Sequence, residues 1–256
     1  MTYPLVYRLL SECVGTAMLV AFGAGSVVAA LSVGGGDLTY AGLGFIALTF
    51  AIVVAVVVHG LGHVSGAHIN PAVTFALAVT KRFRWGDVVP YLLAQLTGGA
   101  LGALVVVAIY GTGAIDLGSL GGTALSDRAS YGSGIVAEAV GTFILVLTIM
   151  AVAVDARAAK GWAGLMIGLA VACAILVVGP MTGGSLNPAR TFGPNFAVSI
   201  FGGTVPWGQF ALYWVGPLLG ATAAAVTYDA LAKPRAAARA EAEAEAEAAT
   251  TSSKSV

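Results

Sequence analysis

Six apolar stretches, each long enough to cross a lipid bilayer, constrain the fold of this chain more than any other feature. They cover roughly residues 7–31, 41–62, 87–110, 134–154, 161–180 and 207–230. A membrane-spanning α-helix needs about 20 predominantly apolar residues. Only 9% of the 256 residues are charged, against about 25% in a soluble domain, so few charges are available to cover a water-facing surface. The sequence therefore predicts an all-α polytopic membrane protein.

Lys and Arg residues lie mainly on one side of the predicted spans. This side holds Arg8, Lys81, Arg82, Arg84, Arg157, Lys160, Lys233, Arg235 and Arg239. The loops on the other side hold only Arg128. Because cytoplasmic loops carry the excess of Lys and Arg, we expect both chain ends in the cytoplasm and the protein in the plasma membrane. Residues 233–256 form an Ala/Glu-rich tail, either a charged helix or a disordered segment, to which no function is assigned.

The two halves of the chain repeat one another. Four matches occur in the same order: Glu12-x-x-Gly15-Thr16 with Glu138-x-x-Gly141-Thr142, Ala41-Gly42-Leu43 with Ala163-Gly164-Leu165, Asn70-Pro71-Ala72 with Asn187-Pro188-Ala189, and Tyr91 and Gly98 with Tyr213 and Gly220. Three spans per copy force the second copy to enter from the opposite face, and sites form where such inverted repeats meet. We therefore expect one membrane domain over residues 1–232, with repeats of about 5–115 and 130–232.

Two segments have the composition of half-length helices. Residues 65–73 read SGAHINPAV and residues 183–190 read GGSLNPAR, and each is followed by apolar chain, to about Val79 and Ile200. Asn is a favoured N-cap, and Pro suits the first helical position. We therefore expect helices to start at the two Asn-Pro-Ala motifs. Roughly ten residues at 1.5 Å each reach about 15 Å, half of the hydrocarbon core.

Half-helices that enter from opposite faces meet near the membrane midplane with their N-termini facing each other. The unpaired carbonyls of the loops before them cannot face lipid, so they must line a water-filled path or be buried in protein. The alternative is two ordinary N-caps in surface loops. The equivalent places of the motifs in an inverted repeat argue against that alternative.

Paired Asn-Pro-Ala motifs, six spans and inverted halves resemble the aquaporin (major intrinsic protein) family over about residues 5–232. The resemblance implies that Asn70 and Asn187 direct side-chain N–H groups at the permeating molecule. It also implies a homotetramer with one pore per subunit, in which water and small neutral solutes pass. The acceptor ladder of the pore would be the carbonyls of Gly66, Ala67, His68, Ile69, Gly183, Gly184, Ser185 and Leu186.

In this family, four positions near the outer mouth set a narrow filter. Arg190, directly after the second motif, matches the filter arginine. Counting from the motifs gives Phe50 in span two, twenty residues before Asn70. It also gives Ile175 in span five and Gly184 in the loop, fifteen and six residues before Arg190. Water-selective relatives typically carry His at the span-five position, and this chain departs from them.

The signals for the solute conflict. Ile175 and Gly184 resemble the wider, less polar filter of glycerol-conducting relatives, but those usually place Asp where this chain has Thr191. The Tyr213-Trp214 pair resembles the water-channel branch. We favour water together with a small neutral solute such as glycerol, urea, ammonia or hydrogen peroxide. A strictly water-selective pore is the alternative.

Glu12 and Glu138 are carboxylates inside predicted spans at equivalent repeat positions. Bracing of the loops through backbone N–H groups is the favoured interpretation, and a proton relay is the alternative. The rival functional class is a secondary transporter, which needs an ionisable coupling site. We expect no enzyme, metal, cofactor or nucleic-acid partner, since no catalytic or metal-ligand cluster is recognisable. Cys13 and Cys173 fit no disulfide spacing and are expected to be buried.

Overall fold

The computed structural model describes residues 3–253, and six membrane-length helices dominate it. Span one to span six are Leu5–Val33, Tyr40–Ser65, Trp85–Tyr110, Tyr131–Val154, Ala163–Thr182 and Trp207–Ala232. Each end lies within three residues of the predicted one. The last span belongs to a continuous helix, Leu212–Ser253, so the described part of the predicted tail is helical. Residues 254–256 of that tail lie outside the described residues.

Both predicted half-helices are present, and each starts at its Asn-Pro-Ala motif. The first half-helix is Pro71–Val79 and the second is Pro188–Ile200. The Oδ1 atoms of Asn70 and Asn187 accept hydrogen bonds from the backbone N–H groups two residues on, each at 2.9 Å. This is the N-cap geometry that the motifs predict.

The helix packing has the symmetry of an inverted repeat. Span one packs on span three, span four packs on span six, and span two packs on its counterpart, span five. Each half-helix packs on the third span of the opposite repeat: the first half-helix contacts span six, and the second contacts span three. This exchange interlocks the two repeats and brings the half-helices together. The predicted 3+3 architecture is confirmed.

Two features of the spans differ from what the sequence predicts. Span one contains a π-helical turn, Leu19–Ala24, and span four ends in another, Met150–Val154. The expected burial of cysteine is wrong for Cys173, which is exposed on span five together with Leu169 and Val177. Lipid solvates an apolar side chain as well as a protein core does, so apolar character does not predict burial in a membrane helix.

Two loops are bound to adjacent residues of span six. Tyr228 donates a hydrogen bond to Asp155 at 2.6 Å, and Arg82 pairs with Asp229 at 2.5 Å. Arg157 donates to both carboxylate oxygens of Asp155. The Arg157 guanidinium, followed by the Tyr228 hydroxyl, holds the pKa of Asp155 well below its usual range. These contacts place Arg82 and Arg157 on one side of the bundle, as the charge pattern indicates.

Candidate functional site

A cavity of about 200 Å³ lies where the two repeats meet. It is lined by Asn70 and Asn187 and by all four counted filter residues, Phe50, Ile175, Gly184 and Arg190. Seven of the eight residues of the proposed carbonyl ladder also line it: Gly66, Ala67, His68, Ile69, Gly184, Ser185 and Leu186. Gly183 is not among the lining residues and packs against Thr123 instead.

The side-chain amides of Asn70 and Asn187 bind crosswise at the meeting point of the half-helices. Asn70 Nδ2 donates to the carbonyl of Leu186 at 2.8 Å, and Asn187 Nδ2 donates to the carbonyl of Ile69 at 2.8 Å. An amide nitrogen has two hydrogens, so each bond leaves one N–H for the cavity. The resemblance implied that these groups face the permeating molecule. In the structure, one N–H of each amide donates to a carbonyl of the opposite loop.

The two loops before the half-helices have the same backbone conformation. Left-handed φ angles occur at matching positions: +91°, +45° and +44° at Gly66, Ala67 and Ile69, and +79°, +59° and +58° at Gly183, Gly184 and Leu186. Residues with a Cβ strain the backbone there, by roughly 1–2 kcal/mol each. Such a conformation persists only where the surroundings enforce it.

Glu12 enforces the conformation of the first loop from a fully buried position. Its Oε1 accepts hydrogen bonds from Ser65 Oγ at 2.7 Å and from the His68 backbone N–H at 2.9 Å. Its Oε2 accepts from the Ile69 backbone N–H at 2.6 Å and from Gln95 Nε2 at 2.9 Å. An ionised carboxylate has about four lone-pair sites, so these four donors occupy all of them.

Glu138 is the fully buried counterpart in the second loop. Its Oε1 accepts from Thr182 Oγ1 at 2.6 Å and from the Ser185 backbone N–H at 2.9 Å. Its Oε2 accepts from the Leu186 backbone N–H at 2.6 Å. Neither carboxylate is among the residues that line the cavity. This geometry favours the bracing interpretation over a proton relay.

Two buried tyrosines support the same loops, and sequence reasoning assigned them no role. Tyr91 donates its hydroxyl to the carbonyl of Ser65 at 2.9 Å, and Tyr213 donates to the carbonyl of Thr182 at 2.8 Å. Their equivalent positions in the two repeats could have indicated this shared role. Both bonds hold the last turn of the span that leads into a pore loop.

The four predicted filter residues line the same cavity. Phe50, Ile175 and Arg190 are at most 3% exposed. The Arg190 guanidinium carbon lies 5.1 Å from the Phe50 ring centroid, within the range of a cation–π contact. Arg190 Nη1 donates to the carbonyl of Gly121 at 2.6 Å. Arg190 Nε is buried and finds no hydrogen-bond partner among the described residues.

The loop between spans three and four contacts the predicted filter residue Arg190, and sequence reasoning missed this contact. Gly121 presents its carbonyl to Arg190 and has a φ of +72°. A side chain at this position would overlap the Ala24 carbonyl of span one. Nearby, Thr123 Oγ1 lies 2.8 Å from Thr191 Oγ1, which in turn lies 2.6 Å from Ser185 Oγ. No motif marks this loop, because any residue can supply a carbonyl.

The wall opposite the polar loops is apolar. It includes Leu19, Val54, Val58, Leu145, Ile149, Ile167 and Val171. Arg190 is the one Asp, Glu, Lys or Arg side chain among the described residues that line the cavity. A molecule in this space therefore finds hydrogen-bonding groups on one side and hydrocarbon on the other.

Comparisons with known proteins agree with this architecture. The family model of the major intrinsic proteins matches residues 2–228. Aquaporin AqpM of Methanothermobacter marburgensis is 45% identical over 240 residues, which cover 89% of this chain and 98% of the relative. The probable aquaporin AqpM of Archaeoglobus fulgidus is 46% identical over 246 residues, or 91% of this chain and all of the relative.

A solved structure has the same fold. The aquaglyceroporin from Plasmodium falciparum superposes with a TM-score of 0.80 at 25% identity, covering 90% of this chain and 98% of that one. The six spans, the two capped half-helices and the inverted repeat are thus found together with a family match over nearly the whole membrane-spanning region. The chain belongs to the major intrinsic protein family.

Proposed function

We propose that this chain is a passive membrane channel for water and small uncharged solutes that excludes ions and protons. The observation that carries the proposal is the cavity between the half-helices, with polar loops and Arg190 on one wall and hydrocarbon on the other. The family consists of channels and not of enzymes. The occupied lone pairs of Glu12 argue against the coupling site that a secondary transporter needs.

Exclusion of cations follows from the electrostatics of the site. The N-termini of both half-helices point at the meeting of Asn70 and Asn187, and each N-terminus carries roughly half a positive charge. Arg190 adds a full charge at the constriction. Positive dipole ends and a fixed arginine raise the barrier for protons and metal cations, but they leave neutral molecules free to pass.

The filter composition supports solutes beyond water. Ile175 is apolar at the position where water-selective relatives typically carry His, a hydrogen-bond donor. Gly184, beside it, has no side chain to narrow the filter. A three-carbon polyol places its carbon edge on Phe50 and Ile175 while its hydroxyls bind Arg190 and the loop carbonyls. The structural similarity to the aquaglyceroporin from Plasmodium falciparum supports this choice. Glycerol is therefore the first solute to test, followed by urea, ammonia and hydrogen peroxide.

The decisive experiment is stopped-flow measurement on proteoliposomes under water and glycerol gradients. We expect passive flux of both, with a low temperature dependence for water and no dependence on ion gradients. Flux of water without glycerol, urea, ammonia or hydrogen peroxide would instead establish the strictly water-selective alternative. Flux that requires an ion gradient would establish a transporter.

Ile175→His should shift selectivity toward water. The imidazole brings a donor to the constriction and fills space beside Gly184. We expect glycerol permeability to fall about tenfold more than water permeability, the discrimination that a small steric change in a pocket typically gives. The measurement is the ratio of the two permeabilities, normalised to protein in the membrane. Ile149→Val, elsewhere on the apolar wall, is the control, and an unchanged ratio in Ile175→His would contradict the assigned filter.

The assembly and orientation extend this proposal. Family members are typically tetrameric, and we propose a homotetramer in the plasma membrane with residues 1–232 as the channel domain. Both chain ends would lie in the cytoplasm, with the tail over residues 233–256. Cross-linking in detergent tests the homotetramer. Protease accessibility of the tail in intact cells tests the cytoplasmic position of the chain ends.

A further inference from the structure

The π-helical turn of span one lies directly behind the filter. A π-turn adds a residue to one turn of helix and is frequent at functional sites. The turn runs over Leu19–Ala24, and its buried Gly23 faces the ring of Phe50. A Cβ built on Gly23 would lie 2.7 Å from both Cδ1 and Cζ of Phe50. Such a contact is too short for carbon atoms, so the ring occupies the space that a side chain at position 23 would need.

The Phe50 ring has little other space. It is 3% exposed, and it belongs to the most extensive apolar core, together with Val53 and Val54 of its own helix. It also lines the cavity, where Arg190 lies 5.1 Å from the ring centroid. A ring displaced by a Cβ at Gly23 therefore moves into the cavity, towards Arg190.

The same turn also packs against the loop residue that binds Arg190. Gly121 packs so closely on the Ala24 carbonyl that a side chain there would overlap it, and the Gly121 carbonyl accepts the hydrogen bond from Arg190. Two consecutive residues of the turn therefore pack behind the filter: Gly23 contacts Phe50, and Ala24 contacts Gly121, which binds Arg190.

We propose that Gly23 is a specificity-determining positioning residue, because the missing side chain at this position lets Phe50 sit back and sets the width of the filter. The inference rests on the proposed function of Phe50 and Arg190 as the filter. It adds a residue that does not line the cavity and acts only through the ring that it contacts.

Gly23→Ala should narrow the filter. We expect the glycerol-to-water permeability ratio to fall about tenfold, as for one added carbon in a pocket, and water permeability itself to fall by a smaller factor. The matched control is Gly25→Ala, two residues on in the same helix, where a Cβ would come 3.3 Å from Val106 and from no filter residue. This control should leave the ratio unchanged.

Phe50→Leu distinguishes ring displacement from general damage to span one. Contacting residues that act through each other give non-additive effects in a double-mutant cycle. In the Phe50→Leu background, Gly23→Ala should leave both permeabilities nearly unchanged, since the smaller side chain clears the added methyl group. Size-exclusion profiles of all variants confirm that equal amounts of folded channel are compared.

Equal effects of Gly23→Ala in both backgrounds, or no effect in the wild-type background, would overturn the proposal. An equal effect of Gly25→Ala would do so as well. If the wild-type channel passes no glycerol, the proposed solute is wrong, and this is seen without any variant. The positioning role of Gly23 is then tested by water permeability alone. Gly23→Ala should lower it only in the background that contains Phe50.

Discussion

Replacing Glu138 with leucine is expected to prevent accumulation of folded channel. The substitution removes the acceptor for Thr182, Ser185 and Leu186. Thr182 Oγ1 can still donate to the Val178 carbonyl, but the two backbone N–H groups are stranded, at about 1–3 kcal/mol each, a large part of the stability of a typical domain, about 5–15 kcal/mol. The Leu186 backbone is also in a left-handed conformation, and Glu138 is the acceptor of its N–H group. Glu12→Leu should behave alike, because it removes an acceptor from four donors, two of them backbone N–H groups.

Glu138→Gln is the matched control. Its amide oxygen still accepts two hydrogen bonds, but its NH₂ group faces one backbone N–H, a loss of about 1–3 kcal/mol. We expect folded protein and most of the permeability per channel. The measurement combines the yield of folded oligomer on size exclusion with stopped-flow water permeability. A folded Gln variant without water flux would reopen the relay interpretation, and a well-folded Leu variant would show that the carboxylate is not a brace.

Replacing Arg190 with valine is expected to weaken cation exclusion and widen the filter. A unit charge 4 Å away contributes about 4 kcal/mol at an effective dielectric constant of 20. Its removal should raise cation leak by about a hundredfold or more, because each 1.36 kcal/mol of barrier corresponds to a factor of ten. The positive ends of the half-helices remain, so the leak stays far below that of an ion channel. Glycerol permeability should rise, since valine leaves the space beside Phe50 open.

Arg128→Val controls for loss of a positive charge in a loop. Arg128 is exposed and does not line the cavity, so its replacement should leave selectivity unchanged. The readouts are proton and potassium flux in loaded vesicles, measured alongside water and glycerol permeability. If Arg190→Val is folded, conducts water and remains as tight to cations as the wild type, the fixed charge is not part of the ion barrier and the half-helix dipoles alone provide it.

The elements of the fold were predictable because their signals are local. Twenty apolar residues determine a span, and the Asn-Pro pairs of residues 70–71 and 187–188 determine where each half-helix starts, since an N-cap acts within two or three residues. The repeat then determines that the halves are inverted. The four filter positions were implied by the family resemblance and counted from the motifs, and all four residues line one cavity.

Other features depended on contacts between distant parts of the chain. The Gly121 carbonyl reaches Arg190 across 69 positions of sequence, and a carbonyl leaves no mark in the residue type. The crosswise bonds of Asn70 and Asn187 join residues more than 100 positions apart. The contact of Gly23 with Phe50 depends on the π-turn, which carries no sequence motif. Hydrophobic pattern and capping thus determined which elements form and where they start. Tertiary packing alone decided which backbone groups and empty spaces surround the filter, because these depend on how closely helices approach and not on the character of any one side chain.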